Sequence, residues 1–132
     1  MKHLFVLFAL AFTCLSLTMQ AQIGHDITVF SEDGLPFTLI LNGQTINAEP
    51  STSVTAKDIN FDFVKVEVNF VDAAIPRIER KNVQIATPGT APSGPVAVVY
   101  AIKEKKGEQK LRFVSRSPKH IQNAPVIIIN NN

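Results

Sequence analysis

The sequence predicts an all-β fold: an antiparallel β-sandwich, immunoglobulin-like, of about seven to eight short strands, preceded by a signal peptide. An open barrel is the alternative closure of the same strands. Three observations carry this. Strand signals recur about every 8 to 12 residues with no helical period between them. Residues 63–70, FVKVEVNF, alternate apolar and polar side chains, as a strand with one face on a core and the other in water does. Residues 27–47, ITVFSEDGLPFTLILNGQTIN, read as three strand segments separated by two sharp turns.

The chain opens with Lys2 and His3 before an apolar run over residues 4–17, which gives way to a polar stretch holding the small residue Ala21. This is the pattern of a secretory signal peptide, residues 1–21, cleaved after Ala21. The run is well short of the roughly 20 apolar residues that span a bilayer, so no transmembrane segment is expected once the signal is removed. Cys14 lies inside the signal and lacks the small-residue context of a lipid-modified cysteine. The mature chain therefore has no thiol for a disulfide or a thiolate metal site, and packing alone must hold it. Residues 22–118 form one domain, which buries about 65% of the surface its unfolded chain exposes and so suffices for a single core. Residues 119–132 are a tail or the start of a linker.

Within residues 27–47, Ile27, Val29, Phe37, Leu39 and Leu41 alternate with Thr28, Phe30, Thr38 and Ile40, which predicts one apolar row on a single sheet face. Asn42-Gly43 suits a type I′ turn, whose central residues both need positive φ; Leu41 then faces Gln44 and Leu39 faces Ile46. Ser31-Glu32-Asp33-Gly34 has calcium-loop chemistry but lacks the further ligands and the bidentate Glu at set spacing, so it reads as an ordinary turn. Residues 54–59 predict a short strand ended by the turn-prone Asp58-Ile59-Asn60. In 63–70, Val64, Val66, Val68 and Phe70 form the core face; Phe61 and Phe63 fall on the polar parity, so either they cover an edge of the core or a bulge at Asp62 shifts the register. Pro76 confines residues 75–80 to an edge or a loop, and residues 82–86 form a short strand with Val83 and Ile85 inward. Residues 87–95, with three prolines and two glycines, are a loop. Residues 96–103 and 110–116 make the last hairpin around a five-residue connection, 104–108, with Val96, Val98, Tyr100 and Ile102 against Leu111 and Phe113 on the core face. The apolar run at 126–129 needs cover, as a docked terminal strand or the start of a further segment.

No catalytic residue emerges. Past the signal, His25 and His120 sit at opposite ends of the domain, no serine lies in a Gly-x-Ser-x-Gly elbow, and no Gly-rich phosphate loop is present. The expectation is a protein that is not an enzyme, with no cofactor and no metal site. Charge is the unusual feature: residues 22–72 hold eight acidic and two basic residues, whereas residues 73–132 hold three acidic and ten basic ones. Lys105, Lys106, Lys110, Arg112 and Arg116 point outward from the last hairpin and are the expected partner-binding residues, for an anionic envelope component such as a polysaccharide or lipid headgroup, or for another protein. The competing reading is mutual neutralisation of acidic and basic strands. Nucleic acid is not expected, because no aromatic residues interleave with the basic face as stacking platforms.

At FSEDGLPFTLILNGQTIN and VVYAIKEKKGEQKLRFVSRSP the chain resembles the N-terminal β-domain of small secreted proteins of Bacteroidota that often carry a second C-terminal domain of unknown function. The resemblance covers residues 26–118 and implies a secreted, periplasmic or cell-envelope location, the same fold, and a linker of the Asn- or Pro-rich kind that residues 125–132 match. It implies no chemistry. The function expected is a secreted or envelope-associated, non-catalytic binding module. A carbohydrate-active domain, glycan-binding or glycan-cleaving, is the alternative; it is disfavoured by the absence of Trp and by a single Tyr, Tyr100, expected inward.

Overall fold

The structure, a computed structural model, describes residues 24–87 and 94–119. The signal-peptide reading, most of the 87–95 loop, His120 and the 126–129 run lie outside these residues. Among the described residues there are eight strands: β1 (His25–Ser31), β2 (Phe37–Leu41), β3 (Gln44–Thr45), β4 (Ser53–Ile59), β5 (Phe63–Phe70), β6 (Ile78–Gln84), β7 (Val96–Lys105) and β8 (Glu108–Pro118). They form two four-stranded sheets, β4-β1-β7-β8 and β3-β2-β5-β6. The all-β sandwich is as the sequence predicts.

Period-two alternation builds the core. Ile27, Val29, Val54, Ala56, Val98, Tyr100, Ile102 and Leu111 from one sheet meet Phe37, Leu39, Leu41, Val64, Val66, Val68, Ile78, Val83 and Ile85 from the other. The apolar row of residues 27–41 does not, however, lie on one sheet. β1 belongs to the first sheet and β2 to the second, because the turn after Ser31 carries the chain between layers. Gly34 N donates to Ser31 O at 3.2 Å and Leu35 N to Ser31 Oγ at 3.0 Å, with Gly34 at φ 70°. Alternation specifies which face of a strand is buried and is silent about which sheet holds it.

The Asn42-Gly43 turn has φ of 48° and 81°, Leu41 faces Gln44, and Ile46 N donates to Leu39 O at 2.9 Å, all as expected. β3 then stops after two residues. Asn47 continues its role with a side chain, accepting Leu39 N at 2.8 Å on Oδ1 and donating from Nδ2 to Phe37 O at 3.0 Å.

Four features depart from the sequence reading. The pair β1–β7 is parallel, within an otherwise antiparallel fold, and β1 lies beside β4 and β7 rather than beside β2, its neighbour in the immunoglobulin order. The last hairpin closes on two residues, Lys106 (φ 53°) and Gly107 (φ 80°), so its strands extend to Lys105 and Glu108. A lysine at positive φ costs about 1–2 kcal/mol, which is why the sequence pattern favours a longer connection there. Residues 75–80 and 82–86 are not separate pieces: β6 is one edge strand with an irregularity at Lys81-Asn82, where Asn82 takes φ 55°. That bulge, on the strand facing β5, replaces the one considered at Asp62; Phe61 and Phe63 are simply exposed, 59% and 44%.

A further bulge falls on β8, and it sets the side on which Arg116 lies. Val99 pairs with Ser115 and Tyr100 with Phe113, so Val114 is extra. One unpaired residue inverts the parity of everything beyond it. Arg116, on the outward parity in an unbroken strand, therefore lies opposite Val98 on the inner side.

Candidate site on the basic hairpin and its edge

β6 and β8 are edge strands of different sheets, and both run along the same open side of the sandwich. Each turns an arginine across the gap. Arg80, in register with the core residue Val66, donates from Nη1 to Leu111 O at 2.9 Å. Arg116 donates from Nε to Ile85 O at 2.7 Å and from Nη2 to Gln84 O at 3.3 Å. Tyr100 adds its hydroxyl, donating to Gln84 O at 2.6 Å. Phe113 is on the expected parity but is 53% exposed, at the edge strand of its sheet; its ring meets Tyr100 edge-on at 5.8 Å and carries the Arg116 guanidinium at 5.0 Å. Arg116 is thus a fastener between the sheets, and its expected place on an outward face is corrected.

The other four predicted residues do come together. Lys105 lies opposite Glu108, Lys110 opposite Lys103, and Arg112 opposite Ala101, so Lys105, Lys110 and Arg112 share the outer face, with Lys106 at the tip. Lys103 joins them; its strand parity was the signal that finds it.

The basic residues between Lys103 and Lys119 divide into three groups. Some are neutralised by the acidic first half: Lys103 Nζ is 3.3 Å from Glu32 Oε2, and Lys119 Nζ is 2.9 Å from both Asp26 Oδ1 and Asp58 Oδ1 while donating to Gly24 O at 3.1 Å. Its hydrogen bond to Lys119 holds the Asp58 carboxyl below the usual carboxylate range, and the hydrogen bonds to Asp58 and Asp26 raise Lys119 above an ordinary lysine. Lys110 is 3.8 Å from Glu108, and Arg116 is held by carbonyls. Lys105, Lys106 and Arg112 have no ion pair among the described residues.

Between Pro76–Arg80 and Gly107–Arg112 lies a groove of ≈ 590 Å³. Pro76, Ile78 and Leu111 form its apolar part; Arg77, Arg80, Lys110 and Arg112 bring positive charge. Its carboxylates are engaged: Glu79 is 2.8 Å from Arg77 and 3.1 Å from Lys65, and the Lys65 hydrogen bond holds the Glu79 carboxyl low. Gln109, also in the lining, donates to Asp33 Oδ2 at 3.3 Å, and its Oε1 is buried without a partner among the described residues. Arg77, Arg80 and Gln109 escaped the sequence reading, since nothing local announces that two edges face each other.

His25 clips the start of β7 to β1. Nδ1 accepts Val96 N at 3.0 Å, so a neutral ring carries its proton on Nε2, 3.6 Å from Asp62 Oδ1. Among the described residues no group of His, Cys, Asp and Glu could hold a metal ion, and no helix is long and apolar enough to cross a membrane. Comparison with protein-family models, with curated proteins and with solved structures finds no match for this chain.

Proposed function

We propose that this domain is a non-catalytic interaction module of the cell envelope or exterior, engaging an anionic partner through the outer face and tip of the β7–β8 hairpin. One observation carries the reading. The fold neutralises Lys103 and Lys119 with acidic side chains yet, among the described residues, leaves Lys105 and Arg112 on the outer face and Lys106 at the tip without such partners. A single-sign patch raises the local concentration of an oppositely charged partner and speeds encounter. The attraction is screened over about 8 Å at physiological ionic strength, so it weakens with salt.

Replacing Lys105, Lys106 and Arg112 together with Gln tests this. Binding to phosphatidylglycerol vesicles or to isolated envelope at low salt should fall several-fold, with the melting temperature nearly unchanged because no core contact is lost. Unchanged binding by the triple variant at low salt would refute the proposal.

A further inference from the structure

The partner's chemistry can be narrowed by the outer edge of β8, which pairs with no further strand among the described residues. In a hairpin closed by two residues, the flanking pair Lys105–Glu108 is hydrogen-bonded, so the backbone groups of Glu108, Lys110 and Arg112 face β7. Those of Gln109, Leu111 and Phe113 face away. The Arg80 bond to Leu111 O, arriving from the β6 side, agrees with that alternation. Edges of this kind pair readily with another extended chain.

We infer that an acidic, extended peptide segment adds to the β8 edge at residues 109–113, lying along the groove beside β6. The inference rests on the anionic-partner reading and specifies its occupant. An antiparallel strand here places two residues opposite Lys110 and Arg112 in non-hydrogen-bonded pairs, where side chains approach most closely, so carboxylates at those positions meet the two cations. The residue between them stands opposite Leu111 on the groove side, where Pro76 and Ile78 supply an apolar surface. The residue opposite Phe113 meets an exposed ring, a favourable neighbour for a β-branched side chain. The recognised pattern is therefore apolar-acidic-apolar-acidic, and the fifth residue, opposite Gln109, is unspecified. Leu111 O, already bonded to Arg80, has a second lone pair for the incoming N–H. A second copy of this chain is a poor occupant: antiparallel self-pairing centred on Phe113 sets Lys110 opposite Arg116, cation against cation.

The test uses the mature protein, uniformly ¹⁵N-labelled, and a blocked pentapeptide of sequence VEVEV at low salt. Its first, third and fifth amides face β8, and its glutamate amides face away. Expected are amide shifts at Gln109, Leu111 and Phe113. Methylating the central valine nitrogen should weaken binding about tenfold or more by removing an edge hydrogen bond and crowding the strand. Methylating a glutamate nitrogen, which keeps mass and charge, should leave binding intact. Equal binding by the two methylated isomers, or no response at the three edge amides, would overturn the inference. Phosphatidylglycerol vesicles form the second arm: binding to vesicles without a peptide response overturns the peptide inference and leaves the anionic-partner reading standing, while failure in both arms, with the Lys105, Lys106, Arg112 triple variant behaving as the parent, overturns both.

Discussion

Arg116→Met separates a fastening role from an exposed cation. Methionine keeps the aliphatic stem and removes the guanidinium. That removes a 2.7 Å bond to Ile85 O, a 3.3 Å bond to Gln84 O and the stacking over Phe113. Gln84 O keeps the Tyr100 hydroxyl, so Ile85 O is the acceptor left without its donor. A part-buried, charge-assisted bond of this kind is worth about 1.5–3 kcal/mol, and a guanidinium over an exposed ring adds about 0.5–1 kcal/mol. A net loss of about 2 to 3 kcal/mol is expected, which in a domain of this size lowers the melting temperature by roughly 10–20 °C. Calorimetry or urea denaturation of the mature chain measures it, with Arg112→Met as the control that should melt with the parent. Vesicle binding by Arg116→Met, measured below its melting point, should stay close to normal. A melting temperature within a degree or two of the parent, accompanied by loss of binding, would show that Arg116 faces solvent and that the bulge at Val114 is misplaced.

Tyr100→Phe removes one buried hydroxyl bond and should cost about 1 kcal/mol at neutral pH. Burial raises the Tyr100 pKa in the folded state, so its stabilising share is complete below the unfolded value near 10 and is lost as pH rises through the folded one. The urea midpoint of the parent should thus fall more steeply above pH about 10 than that of the variant; parallel curves would refute the assignment. Asp58, held low by Lys119, works in the opposite direction: its contribution is present above the unfolded value near 4 and is lost as pH falls through the folded one. Lys119→Gln should flatten the acid limb of the stability curve, and an unaltered acid limb would show that this exposed cluster contributes nothing. Gly24→Ala tests the close crossing of β1 and β4: an added Cβ lies 2.6 Å from the Asp58 carbonyl carbon and 2.8 Å from Ile59 N. Both are backbone atoms, so a loss of about 1–3 kcal/mol in chemical denaturation is expected, and a neutral result would mean the strand ends are loosely held.

Local chemistry was legible wherever two residues suffice to specify the geometry. The alternation of Val64, Val66 and Val68 with Lys65, Glu67 and Asn69 determined a strand and its buried face, and Asn42-Gly43 determined a hairpin and its register. The composition and charge asymmetry also located the basic hairpin, and four of its five named cations share a surface. Periodicity, however, has a memory of two residues, whereas sheet membership, the parallel β1–β7 pairing and the approach of β6 to β8 depend on segments distant in sequence. Bulges fall between these limits. Neither Asn82 nor Val114 is marked as an insertion by its neighbours. Each inverts a parity, Asn82 beyond Arg80 and Val114 before Arg116, so both arginines lie on inner sides and can reach a carbonyl of the opposite sheet. Only the folded arrangement supplies those carbonyls, and that is why Arg116 reads as a surface charge in the sequence and holds two sheets together in the structure.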